Sequence, residues 1–554
     1  MALAFLHRRA CPHHTVRTSP PLARRSCEAF TQATQRANRK PVTAGVRPPI
    51  AAIPVLLVLV ACSRHKSSSD AGPTDSAVEA PTSGDAATED ARFRGRIGAL
   101  AWEVKIHEQP TLGSSMIGYL RAGAVVHATP EPVSRVGCPG GWYEIPPTGF
   151  VCVEPNAATT DLSNPIVRAL ARRPDPDGHL PYMYGLIRQR SQIYTRLPSL
   201  ADATRLEPFL ESHMQRWLRL SGENGASFRQ DYWMRGKDAG APPDPRALWD
   251  AHTTVEVPDW VQFDKPFPGN VSGKSPGWRV AAGHTLAHQG FAFIDTAVRD
   301  GRRYAITTDL LAVPVDRMRP IEGSSYHGVH IPEDIDVPFA IIRHDGASFY
   351  RASGAGMDRI GPAARRAVIK LSGKERLIDN HYYYETTDDR WVCDTHASRV
   401  GPLKRVEKWA REGERWIDVR VGSQTLVAFD GTQPVFATLV STGEAGLQDP
   451  ETTKSTVVGD FRVYSKHITT TMASEVVGEE FELKDIPYVQ YFREGYALHA
   501  AYWHDDFGTP RSHGCVNLAP EDARWLFWWT TPTVFPGWHS ARTVKGGTVV
   551  SVHP

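Results

Sequence analysis

Gly495-Tyr496-Ala497-Leu498-His499 and Ser512-His513-Gly514-Cys515-Val516-Asn517 are the two stretches on which the reading of the C-terminal part of this chain turns. His499 closes a predicted strand. A loop through Asp505-Asp506-Phe507-Gly508 can return the chain so that Cys515, sixteen residues on, meets it. A thiolate is the strongest side-chain nucleophile at neutral pH, and an adjacent imidazole can generate it. Gly514, without a side chain, would leave the N–H groups of Gly514 and Cys515 free to approach a developing oxyanion. Pro520-Glu521-Asp522-Ala523-Arg524-Trp525-Leu526 predicts a helix start, with proline near the first position and acids in the first turn. A helix N-terminus pointed at Cys515 would lower the thiol pKa further. Upstream, Trp416–Val421, Gln424–Phe429, Pro434–Ser441 and Gly459–Tyr464 read as strands, with Gly422-Ser423 and Asp430-Gly431 as turns. That regular spacing predicts an antiparallel sandwich.

The run His499…Ser512-His513-Gly514-Cys515-Val516-Asn517 resembles the signature of L,D-transpeptidases with a YkuD-type catalytic domain. Ala437-Thr438-Leu439-Val440-Ser441-Thr442-Gly443, Gly459-Asp460-Phe461 and Asp522-Ala523 support the likeness, which covers about residues 414–554. The resemblance implies Cys515 as nucleophile and His499 as its general base, with the Ala500 backbone carbonyl orienting the ring. Ser512, His513 and Gly514 would shape the oxyanion site and Asn517 the turn behind the nucleophile. It implies acyl transfer from peptidoglycan tetrapeptide stems, with loss of D-Ala and a thioester on Cys515. A stem amine as acceptor gives a 3→3 cross-link, water gives an L,D-carboxypeptidase, and a lysine amine attaches a lipoprotein. No cofactor or metal is implied. Thr456-Val457-Val458-Gly459 departs from the family's usual Pro-Thr-Gly turn, a difference read as touching a strand connection rather than the reacting groups. Two other readings stay open. His499, His504, Asp505, Asp506 and His513 could bind zinc, or the domain could be a non-catalytic wall-binding module.

Working toward the N-terminus, the chain is predicted mainly β and multidomain. Residues 95–158 read as five short strands: Ala101–Ile106, Met116–Tyr119, Ala124–Ala128, Gly141–Ile145 and Gly149–Val153. Ile117-Gly118-Tyr119-Leu120, Gly141-Trp142-Tyr143-Glu144-Ile145 and Gly149-Phe150-Val151 resemble bacterial Src-homology-3-like barrels. Cys138 and Cys152 flank the last hairpin and suit either a disulfide or two separately buried thiols. Residues 160–410 read as β-rich, with barrel-like modules and helical insertions. Strands are expected at Pro181–Gly185 and Ile193–Tyr194, a helix over Leu206–Leu220, and a strand pair from Gly301 through Val313. Tyr382–Val392 reads as a hairpin turning at Asp388-Asp389, and Pro242–Pro276 as a loop or boundary. Cys393 and His396 stand at metal-ligand spacing but lack a second ligand pair.

Residues 1–61 carry nine bases against one acid, then an apolar stretch Ile50–Ala61 before Cys62. That order describes a secretory signal, and Leu59-Val60-Ala61-Cys62 resembles the lipobox of bacterial lipoproteins, with Cys62 acylated. Residues 62–92 are Ser, Ala, Asp, Thr, Gly and Pro with almost no large apolar residue, a composition that predicts a flexible tether. With Ser63-Arg64 and no Asp after the cysteine, resemblance to the enterobacterial lipoprotein sorting rule implies the outer membrane, and the lipobox likeness a lipid-anchored, periplasmic location. The whole chain of 554 residues has 63 Lys+Arg against 61 Asp+Glu, is 41% apolar and contains seven cysteines. That balance argues against bulk electrostatic binding of nucleic acid, and the cysteines are too few for a disulfide scaffold. No apolar run reaches the roughly 18 residues of a membrane span. Without residues 1–61, 54 bases face 60 acids and five cysteines remain.

Overall fold

Arg415–Arg420 and Thr425–Asp430 form the hairpin from which the C-terminal region grows, registered from Arg415↔Asp430 to Arg420↔Thr425. Gly431, at φ +55°, lets the chain turn again into Gln433–Leu439. The computed structural model describes residues 91–171, 174–175, 178–222, 257–269, 279–403, 405–474 and 481–554. The signal, Cys62 and tether read from the sequence lie outside the described residues, as does most of Pro242–Pro276.

Six strands make the first catalytic-region sheet, in the order Val329–His330, Gln433–Leu439, Thr425–Asp430, Arg415–Arg420, Val549–His553, Gly459–Arg462. Arg415–Arg420 is covered on both faces. Ile417 and Val419 point into one apolar cluster and Trp416 into another. The first cluster also holds Ala523, Leu526 and Phe527 of the helix Pro520–Trp529, each large side chain contributing about 1.5–3 kcal/mol by burial. The sandwich is mixed rather than purely antiparallel. Arg415–Arg420 runs parallel to Val549–His553, and Tyr496–Ala500 runs parallel to Val516–Leu518. Antiparallel neighbours can be joined by short turns, whereas these parallel partners need long connections that strand-turn spacing does not announce.

Five of the N-terminal strands follow the sequence reading with shifted ends, and Gly95–Ala99 and Ala158–Thr159 are additional to it. The N-terminal ones are Gly95–Ala99, Val104–His107, Met116–Leu120, Val125–Ala128, Trp142–Glu144, Phe150–Cys152 and Ala158–Thr159. Cys138 and Cys152 are joined as a disulfide. Met116–Leu120 also pairs with Ser540–Arg542 of the C-terminal region, so one sheet crosses between the two. In the middle region, Gly290–Arg299 and Arg302–Thr307 turn at Asp300-Gly301, both at positive φ, and Ala312–Pro314 adds alongside. His381–Thr386 and Trp391–Cys393 form the expected hairpin. The single helix expected over Leu206–Leu220 is instead two, Leu200–Leu206 and Leu210–Gly222. Glu207 precedes Pro208 and is extended (φ −118°, ψ 94°), since proline disfavours helical geometry in the residue before it.

Middle-region residues also enter the catalytic sheet. Val329–His330 is its edge strand, and Tyr326 OH accepts from Leu439 N–H at 3.1 Å. Asp522, buried in the first turn of the C-terminal helix, accepts from Gly328 N–H at 2.9 Å and from the Thr438 hydroxyl. Burial outweighs these bonds and pushes its carboxyl up to about 7. A folded-state pKa above the ordinary 3.8 means that folding takes up a proton. The associated stability is fully present below about pH 4 and is lost as the pH rises through about 7. We expect the melting temperature of the wild type to fall across that window relative to Asp522→Asn, which keeps the shape without titrating. Asp522→Ala should cost about 1–3 kcal/mol by leaving two buried donors unpaired. Identical pH profiles for wild type and Asp522→Asn in thermal melts would refute the assignment.

Candidate active site

Tyr496–Ala500 and Val516–Leu518 pair in parallel, with Leu498↔Val516, His499↔Asn517 and Ala500↔Leu518. Side chains alternate along a strand, and the register sets Asn517 beside His499, with Cys515 in the loop just before the strand Val516–Leu518. The imidazole is buried and the thiol is partly exposed. His499 Nδ1 lies 3.1 Å from Ala500 O, the carbonyl named from the sequence. A proton on Nδ1 donates to that oxygen and leaves Nε2 as the ring's acceptor. The Cys515 thiol donates to Gly495 O at 3.6 Å. Trp503 closes over the imidazole, ring centroids 5.8 Å apart.

The loop carrying the thiol is clamped from both sides. Arg511 and Ser512 N–H donate to Thr442 O at 2.8 and 3.0 Å, and Glu444 N–H donates to Ser512 O at 2.9 Å. Ser441 and Asn517 exchange both backbone hydrogen bonds at 2.9 Å. Gly514 takes φ +127°, and a Cβ there would stand 2.9 Å from the Tyr496 ring; only glycine fits. Its N–H is not free for an oxyanion, because it donates to Ser512 Oγ at 3.0 Å. The hydroxyl of Ser512 in turn donates to Cys515 O. His513 is exposed, its ring 5.3 Å from that of Phe481. Thr456 corrects the expectation drawn from its turn. Its hydroxyl donates to Gly514 O at 2.7 Å and accepts from Gly443 N–H at 2.8 Å, so that departure reaches the cysteine loop itself.

Residues 414–552 match the YkuD family model, described as the L,D-transpeptidase catalytic domain. This segment is a YkuD-type catalytic domain. None of the curated proteins compared with the chain matches it. Solved structures resemble part of it, three of them as follows. The catalytic domain of an E. faecium L,D-transpeptidase is 23% identical over 26% of this chain and 98% of that one, with a TM-score of 0.20. An L,D-transpeptidase from Xylanimonas cellulosilytica is 22% identical over 28% of this chain and 64% of that one, also at 0.20. L,D-transpeptidase 3 from Mycobacterium tuberculosis, in complex with a faropenem-derived adduct, is 20% identical over 33% and 78%, again at 0.20.

Within the YkuD-type domain the electrostatics run against a preformed ion pair. Burial pushes the Cys515 thiol up to about 11, and a backbone hydrogen bond at Ala497 offsets only part of this. Burial holds His499 down to about 4 against the opposing Ala500 bond. The expected help from the helix dipole does not arrive. Strand Val516–Leu518 and Ala519 separate Cys515 from the helix start at Pro520. At about 3.3 Å per extended residue that is more than 10 Å, whereas the dipole acts within a helix's first turn. The Cys515 thiol and the His499 imidazole are therefore both neutral at rest.

The residues considered as a zinc set are dispersed among other partners. His504 lies 3.0 Å from the Asn517 carboxamide, accepts from Asp506 N–H at 3.3 Å and is held by burial down to about 3. Asp506 pairs with Arg511 at 2.8 Å. Asp505 accepts from Arg366 at 2.6 Å and from the Ser324 hydroxyl, both from the middle region. Cys393 does not group with His396. Its thiol lies with His381 and Asp394, three ligand-type atoms within 4.8 Å of one another. The sequence reading took Thr456 as a turn residue only and missed Arg366 and Ser324. Their contacts span 58, 139 and 181 residues, and no local pattern marks them.

A neutral dyad has a kinetic signature. Alkylation of Cys515 by iodoacetamide should keep rising with pH toward about 11, without the plateau near neutrality that a thiolate–imidazolium pair gives. A pH-independent rate between about pH 5 and about pH 8, read by mass spectrometry of the Cys515 peptide, would overturn the neutral assignment.

Proposed function

We propose that this chain is a peptidoglycan L,D-transpeptidase that uses Cys515 as nucleophile and His499 as general base. The observation that supports the reading is the pairing of the strand that carries His499 with the strand that follows Cys515, inside a segment matching the YkuD model. Cys515 Sγ bonds to the carbonyl carbon joining the L-centre of diaminopimelate to the terminal D-Ala of a tetrapeptide stem. Its proton passes to His499 Nε2 and from there to the amine of D-Ala as the amide breaks. An amine from a neighbouring stem then attacks the thioester, releasing Cys515 and forming a 3→3 cross-link. Water or a lysine amine at this second step would make the product a shortened stem or an attached lipoprotein. Ser512, Gly514 and Thr456 hold the loop in place, and Asn517 links it to His504.

The setting proposed for this chemistry is the periplasmic face of the envelope, the outer membrane rather than the inner. Acylated Cys62 would be the anchor and residues 63–92 the tether that lets the enzyme reach the wall. The cysteine arithmetic is consistent with this: one for lipid, two in the Cys138–Cys152 disulfide, buried Cys393, and Cys515.

Incubation with disaccharide-tetrapeptides followed by mass spectrometry tests the reaction. The expected result is loss of D-Ala with dimer formation, reduced at least ~10³-fold in Cys515→Ala and His499→Ala and indifferent to chelators. A carbapenem adduct on Cys515 would support it. Turnover that survives Cys515→Ala but dies with chelator would replace it with a metal enzyme. Binding to sacculi without turnover would replace it with a wall-binding module.

A further inference from the structure

The turn Asp379-Asn380, both residues at positive φ, joins Val368–Ile378 to His381–Thr386, so His381 opens its strand opposite Ile378. In the neighbouring strand, Cys393 ends Trp391–Cys393 opposite Tyr383, and Asp394 begins the turn beyond it. The ends of two paired strands thus bring an imidazole, a thiol and a carboxylate together. Asp394 Oδ1 lies 3.2 Å from His381 Nδ1 and 3.6 Å from Cys393 Sγ, and the three ligand-type atoms all lie within 4.8 Å of one another. The other oxygen, Oδ2, accepts from Tyr382 N–H at 2.9 Å, which leaves Oδ1 facing the imidazole and the thiol. Asp394 N–H donates to Tyr382 O at 2.9 Å and Arg343 donates to Asp394 O at 2.7 Å, so the residue is held by its backbone as well. His396, the histidine at metal-ligand spacing from Cys393, turns instead to Thr395 Oγ1 at 2.8 Å.

The donor set and its dimensions agree. Zinc stands about 2.0 Å from nitrogen or oxygen and about 2.3 Å from sulfur. The edges of its tetrahedron are then about 3.3 Å between nitrogen and oxygen and about 3.5 Å between sulfur and oxygen. The two measured edges are 3.2 and 3.6 Å. Sulfur and imidazole nitrogen suit zinc-class ions, whereas calcium and magnesium take oxygen donors. A thiolate and a carboxylate together balance the charge of a dication. The His381 and Asp394 side chains are 49% and 29% exposed, which gives an ion a path to the buried thiol. We propose that His381 Nδ1, Cys393 Sγ and Asp394 Oδ1 bind a divalent transition-metal ion of the zinc class, with water in the fourth position. Binding exchanges the thiol proton, released to solvent, for a sulfur–metal bond, and it clips the two strand ends together. The site lies on a different sheet from Val516–Leu518 and does not rest on the proposed reaction.

Cobalt(II) is the probe, added alone to the full chain after dialysis against chelator, and then displaced by zinc. The expected result is one ion per chain, with a thiolate-to-cobalt charge-transfer band and the visible bands of a four-coordinate ion, all lost on adding zinc. His381→Ala, at an exposed position, and Cys393→Ser should each weaken binding more than about tenfold, the loss that even an outer partner of a metal ligand can produce. Cys515→Ser should leave the spectrum unchanged. If Cys393→Ser fails to fold, His381→Ala decides. No charge-transfer band means that the three side chains form a hydrogen-bonded cluster only. A band that keeps its full strength and affinity in His381→Ala, or disappears in Cys515→Ser, places the ion at another thiol. Each of these overturns the proposal.

Discussion

A carboxylate with no solvent exposure organises this fold. Asp485 sits in the strand Phe481–Arg493 where two of its residues oppose one of Ser465–Ser474, the pairing stepping from Thr470↔Ile486 to Met472↔Leu483. The extra residue is accommodated with Asp485 at φ +51°, a bulge that turns its side chain off the ladder. The carboxylate then meets Arg121 at 2.6 Å, Thr469 at 2.7 Å and Thr308 at 2.5 Å. Those donors come from the N-terminal strands, the C-terminal region and the middle region. A buried charge whose partner is removed costs about 3–5 kcal/mol. Drawing the N-terminal strands away would strand Arg121 and Asp485 together, so the pair ties all three regions into one arrangement.

That constraint bears on the site through the same strand. Leu483 and Tyr491, on either side of the bulge, pack in the cluster that includes Cys515. On the opposite flank, Arg366 and Ser324 hold Asp505, and the loop they fix carries His504 to Asn517, the partner of His499 in the parallel register. The middle region thus touches the dyad's supports from two directions. The groups proposed to react stand on, or just before, two short strands joined at three paired positions, a weak scaffold without these long-range ties.

What was legible in the sequence was what is decided locally. Asp430-Gly431 marked its turn, Pro520 marked its helix start, and alternation located Arg415–Arg420, Thr425–Asp430 and Gln433–Leu439 within a few residues, whereas the long strands Ser465–Ser474 and Phe481–Arg493 went unmarked. Cys515 and His499 stood out because a Ser-His-Gly-Cys run after an upstream histidine resembles the YkuD signature, the family whose model matches residues 414–552. The parallel pairings were hidden because their long connections carry no turn signal. The bulge at Asp485 looked like any polar position in a strand. Thr456 looked like a turn residue until its hydroxyl was seen between Gly443 and Gly514. The split at Pro208 was readable, since proline restricts the residue before it, but the apolar spacing of Leu206–Leu220 masked it. Module boundaries drawn from composition could not reveal that Met116–Leu120 pairs with Ser540–Arg542.

The same limit explains why the electrostatics of the dyad ran opposite to expectation. Residue types suggested a thiolate made ready by its imidazole and a helix dipole. Burial decides otherwise, holding the thiol at about 11 and the imidazole at about 4. Both shifts oppose moving the proton from sulfur to the ring in the resting site. An isolated thiolate is thus a poor intermediate for this geometry. On the proposed mechanism, the proton leaves Sγ as the new bond to carbon forms, so charge develops on the carbonyl oxygen rather than on sulfur. The Ala500 carbonyl then does more than orient the ring. It faces Nδ1–H as Nε2 takes up the proton, stabilising an imidazolium that exists only while the substrate is reacting.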